Sequence, residues 1–78
     1  MDNSQHSSKR GAFIRLADRR TNTILEKLRI LGNLSNPYAY DYSDEDVKKI
    51  FAAIDREIRL TRTKFQNQQK RKFKLEGE

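Results

Sequence analysis

The chain has no cysteine and no tryptophan, and only one histidine, one proline and one methionine among its 78 residues. Without cysteine there is no disulfide framework and no thiolate metal site, so the fold must hold by packing or by a partner. A catalytic triad would have to use His6, which stands in a leader rich in Ser, Asn and Gln. Glycine is equally scarce. Gly11, Gly32 and Gly77 are isolated, so no glycine-rich phosphate loop can form. No apolar run approaches the roughly 18–20 residues of a membrane span, and Met1-Asp2-Asn3-Ser4 does not open a secretory signal. The sequon Asn33-Leu34-Ser35 therefore has no expected use. No carboxylate pair suits a cleft, because Asp44, Glu45 and Asp46 are better explained by helix capping. The expectation is a soluble, cytoplasmic, non-enzymatic protein without metal, cofactor or small-molecule substrate.

What is present in quantity is charge. Charged residues make up 36% of the chain and hydrophobic residues 35%, with a net charge of +6, so little apolar surface is available for a private core. The charge is unevenly placed. Seven bases between Lys9 and Arg29 face only Asp18 and Glu26, and seven more from Arg59 to Lys74 face no acid within that stretch. Between them, residues 32–58 hold six acids against Lys48, Lys49 and Arg56. The order along the chain is basic, acidic, basic.

Residues 1–11 have no apolar periodicity and read as a disordered leader. From Ala12, apolar or neutral residues recur at 13, 14, 17, 21, 24, 25, 28 and 31, one stripe at about 100° per residue. A helix over about 12–31 is predicted, with Gly32 as a left-handed C-cap. The connector to Tyr42 is dense in turn formers, and Pro37 excludes Asn36 from the α region. Ser43 is a good N-cap, and the three acids after it complement the helix dipole. Tyr42 and Val47 occupy the two positions of a hydrophobic staple. A second helix follows over about 44–66, with Val47, Ile50, Phe51, Ile54, Ile58, Thr61 and Phe65 on one stripe. Nothing breaks it before 74, so it can run on as a basic arm. The fold class is all-α: an antiparallel two-helix hairpin over 12–66, a leader, and a basic tail over 67–78. Packing between the helices is expected to end near Phe65.

A second apolar line lies away from each stripe: Leu16, Thr23 and Ile30, then Ala53 and Leu60. These are either scattered exposed aliphatics or a second interface. Two such helices make a small core, and a homodimer forming a four-helix bundle, or docking on a partner, is expected. Leu16, Ile30 and Leu60 are the candidate protein-interface residues there. Tyr38, Tyr40 and Tyr42 alternate, so an extended segment would point them one way, for base stacking or a protein partner. The stronger reading is that they cap the hinge end of the core over Leu31, Leu34 and Val47.

An antiparallel return brings the two basic segments to one pole. The candidate nucleic-acid contacts are Arg10, Arg15, Arg19, Arg20, Arg59, Arg62, Lys64, Lys70, Arg71, Lys72 and Lys74. Pairs such as Glu26 with Arg29, Asp55 with Arg59 and Asp18 with Arg15 have the spacing for helical ion pairs, yet most bases at this end have no such acid. A polyanion suits the pole, and RNA or a nucleoprotein complex is favoured. No helix-turn-helix spacing, zinc finger or RNP motif offers base readout. Phe73 within the basic tail is a weak membrane-interface candidate.

The stretch Leu28-Arg29-Ile30-Leu31-Gly32-Asn33-Leu34-Ser35-Asn36 continues into Tyr40-Asp41-Tyr42-Ser43-Asp44-Glu45-Asp46-Val47-Lys48-Lys49-Ile50-Phe51. It resembles small uncharacterised bacterial proteins, often carried on plasmids and other mobile elements, with an LGNLSN…YxY[ST]xEDVxKIF core. The resemblance implies no activity, cofactor or binding residue. It implies a mobile-element setting, where small basic proteins are nucleic-acid accessories or inhibitors of host defence complexes. A small protein-binding regulator, using the tyrosines or the second apolar line, is the alternative.

Overall fold

A computed structural model describes the backbone of residues 3–77 and the side chains of residues 8–68. Helix α1 spans Asn3–Gly32, a 3-10 turn spans Asn33–Ser35, and helix α2 spans Asp44–Gly77. No strand occurs among the described residues. The all-α class and the two helices agree with the sequence. The chain divides into two units, Met1–Asp41 and Tyr42–Glu78, each built around one helix.

Two boundaries differ from expectation, both on α1. α1 begins at Asn3 rather than near Ala12. No proline lies in this stretch, and Gly11 costs a helix interior only about 1 kcal/mol, so nothing local stops the helix there. At the other end Gly32 does not adopt the left-handed conformation expected of it. Its φ and ψ are −61° and −24°, and the helix tightens into the 3-10 turn beyond it. The stop comes at Asn36, whose backbone is extended at φ −71° and ψ 106°. Pro37 is the cause, since its ring disfavours the α region for the residue before it. α2 runs on past 66 to Gly77, as the lack of a helix breaker allows.

Asn36 also organises the connector. Its side-chain Oδ1 accepts from the Tyr38 N–H at 3.1 Å, an Asx turn that fits Pro37 at the bend. Its carbonyl accepts from the Ala39 and Tyr40 amides at 3.2 and 3.0 Å. Tyr38 therefore sits in a turn, and the extended row of three tyrosines does not form. Tyr38 is 97% exposed, so it does not cap a core.

The start of α2 is closed by a reciprocal box. The Asp46 N–H donates to Ser43 Oγ at 3.1 Å, and the Ser43 N–H donates to Asp46 Oδ2 at 3.0 Å. The Ser43 carbonyl accepts the first helical bond from Val47 at 3.2 Å. Two free donors of the first turn are thereby satisfied, with Asp in the place usually held by Glu or Gln. Val47 is half-buried, where a staple would put it. Ser43→Ala is expected to cost about 1 kcal/mol of helix stability, read as lower ellipticity at 222 nm and a lower urea midpoint.

Within its own unit each helix leaves its apolar stripe open. No described residue is buried. Phe13, Ile24, Ile50, Phe51, Ile58 and Phe65 are all exposed, although their spacing assigns them to a packed stripe. The helical periodicity is real, but within its own unit neither stripe has a second element against it. Among the described residues, only Ala12, Leu16, Ala17, Leu28, Leu31, Val47 and Ile54 reach intermediate exposure.

Candidate nucleic-acid interface

The candidate cations divide between the two helices. On α1, Arg15 and Arg19 are one turn apart and share a face, because each turn returns the chain to nearly the same azimuth after four residues. Arg20 follows Arg19 but points about 100° away, toward the edge of the apolar stripe. All three are exposed. The Arg19 carbonyl also accepts a hydrogen bond from Thr23 Oγ1 at 3.0 Å, so the threonine hydroxyl is satisfied within the helix.

Arg10 is placed differently. Its guanidinium carbon lies 5.9 Å from the centroid of the Phe13 ring, a cation–π arrangement within one turn of helix. Arg10 itself is exposed. The i, i+3 spacing of Arg10 and Phe13 was the signal for this contact.

On α2, Arg59 and Arg62 lie three apart on adjoining azimuths, with Lys64 on another side of the helix. All three are exposed. The Arg59 carbonyl accepts from Thr63 Oγ1 at 2.9 Å, repeating the arrangement at Arg19 and Thr23. The side chains of Lys70, Arg71, Lys72 and Lys74 lie outside the described residues, as do those of Phe73 and His6.

Among the described residues, no carboxylate lies within 4.0 Å of these cations. The spacings Glu26 to Arg29, Asp55 to Arg59 and Asp18 to Arg15 therefore do not become ion pairs. The reason is energetic: exposed pairs gain only about 0–1 kcal/mol and must immobilise two long side chains. Lys49 and Arg56, seven apart on α2 and facing away from its stripe, are exposed and unpaired in the same way. They stand in the acidic third of the chain. Their spacing of seven, continued by Thr63 and Lys70, was the available signal.

The remaining candidates are the apolar and aromatic ones. Leu16 is half-buried by its own helix, whereas Ile30 and Leu60 are each 50% exposed. Tyr40 and Tyr42 are exposed to 51% and 42%. Among the described residues, no helix is long and apolar enough to cross a membrane, and no group of three His, Asp or Glu side chains is placed to hold a metal ion. The arrangement can neutralise and orient anionic groups along each helix.

Comparison with protein-family models, with curated proteins and with solved structures gives no match.

Proposed function

We propose that this chain is a non-enzymatic nucleic-acid accessory that grips phosphate backbones, with structured RNA or a nucleoprotein complex as its target. One observation carries the reading. The exposed cations Arg15, Arg19, Arg20, Arg59, Arg62 and Lys64 have no carboxylate partner among the described residues. Unpaired cations on a chain of net charge +6 repel one another, and a polyanion relieves that repulsion while releasing its own condensed counterions. Affinity then comes from phosphates, and sequence preference is weak because nothing reads base edges.

The second reading is a small protein-binding regulator from a mobile element, such as an inhibitor of a host defence complex. It is favoured by the open apolar stripes, with the cations serving to steer encounter. A gel-shift titration of the full chain separates the two. The nucleic-acid reading expects comparable shifts with an RNA hairpin of arbitrary sequence and with a second hairpin of different loop. An absence of any shift at 50 mM salt removes it and leaves the regulator.

A further inference from the structure

The side of α2 that faces away from its apolar stripe carries a cluster of cations. At about 100° per residue, Lys48, Lys49, Arg56 and Arg59 fall within about 100° of one another, centred about 160° from the middle of the stripe. From Lys48 to Arg59 they cover about 17 Å of helix axis at about 1.5 Å per residue. All four side chains are exposed, and none has a carboxylate within 4.0 Å. Three acids border them: Asp44, Glu45 and Asp55 stand one turn before Lys48, Lys49 and Arg59 in turn. That spacing suits helical ion pairs, yet none of the three closes. Asp44 and Glu45 belong to the first turn of α2, where the helix dipole already favours negative charge. Among the described residues beyond that turn, Asp55 is the one acid on this side of the helix.

The floor between the cations is low. Ala52 is exposed and lies near the centre of the four, and its side chain ends at Cβ. A long polyanion can therefore approach the helix there while the lysines and arginines reach it from either side. Thr63 continues the line, but its hydroxyl donates to the Arg59 carbonyl at 2.9 Å, so the cations alone supply donors to an anion. All of these residues lie in the unit Tyr42–Glu78. Whatever covers Val47, Ile54 and Ile58 lies on the opposite side of the helix and leaves this face open.

We infer that this face is a phosphate-binding surface complete within its own unit, along which Lys48, Lys49, Arg56 and Arg59 take a nucleic acid backbone lengthwise. The inference rests on the nucleic-acid reading above. It extends that reading to three cations in the part of the chain whose net charge is negative, because position on the helix, not the sum over a segment, decides what a phosphate meets.

Lys49→Gln with Arg56→Gln removes two of the four contacts. Glutamine is close to lysine and arginine as a helix former, and neither side chain has a partner to lose, so ellipticity at 222 nm should be unchanged. The probe is a duplex RNA hairpin titrated at several salt concentrations against the full chain. Each phosphate contact contributes about 0.9 to the slope of log K against log salt, so the pair is expected to make that slope shallower by about 1.8. Lys9→Gln with Lys27→Gln takes the same charge from exposed positions on α1 and should lower the slope by less than half as much. An equal fall in both pairs assigns the effect to net charge and overturns the inference. A slope in the Lys49 and Arg56 pair as steep as that of the unsubstituted chain overturns it too. If that unchanged slope comes with lost binding to polyglutamate, the face belongs to an acidic protein instead. No binding of RNA by the unsubstituted chain overturns the nucleic-acid reading itself, so the two failures are told apart.

Discussion

Replacing Arg15 and Arg19 together by glutamate is expected to weaken duplex binding about 60-fold or more at 0.1 M salt. Each phosphate contact contributes a slope of about 0.9 in log K against log salt, so two contacts amount to about 1.8 decades between 1 M and 0.1 M. Reversal of sign adds repulsion to that loss. The helix itself should be indifferent. Both side chains are exposed and unpaired, and glutamate is as good a helix former as arginine. Equal ellipticity with lost binding places the effect in phosphate contacts. Unchanged affinity would take α1 out of the site. Lys27→Glu, an exposed charge on another side of α1, is the control and should cost less because it loses one contact at most.

The largest effect on assembly is expected from Ile58→Asp. Ile58, on the apolar stripe of α2, is 44% exposed within its own unit. Burying such a side chain against a partner helix is worth about 1.5–3 kcal/mol. An association weakened by that much is weakened by about tenfold to a hundredfold, with the charge of the aspartate adding to that. Sedimentation across a dilution series reads the shift. Leu60→Asp supplies the contrast. Leu60 lies outside the stripe of Val47, Ile50, Phe51, Ile54, Ile58, Thr61 and Phe65, so its substitution should act far less than that of Ile58. The reverse order would mean that the second apolar line, not the first, is the interface.

How much of this was legible in the residues depends on the range of the interaction. Ser43 and the acids behind it announce the start of α2, and Ser43 and Asp46 do close it. Pro37 likewise stops the chain one residue before itself, as its ring requires. Such features are settled within four residues, where few conformations compete. Gly32 failed as a marker because a glycine permits a left-handed cap without demanding one, and the demand came from Pro37 further on. The start of α1 was misplaced for a related reason, since weak propensity among Ser, Asn and Gln does not end a helix that nothing interrupts. Periodicity marked the apolar face of each helix correctly. It carries no information on what covers that face, and Phe51 and Ile58 stand open within their own unit. The cations were visible by count. Their lack of carboxylate partners was not, because i, i+4 spacing permits an ion pair that solvent then makes worthless.

The claim at the centre is that affinity resides in phosphate contacts made by unpaired lysine and arginine side chains. The salt dependence of duplex RNA binding tests it most directly. With four to six such contacts, log K should fall by about 4–5 for each tenfold rise in salt, across sequences alike. A slope near zero, or binding that survives at 1 M salt, would contradict the account and return the cations to the role of solvating two exposed helices.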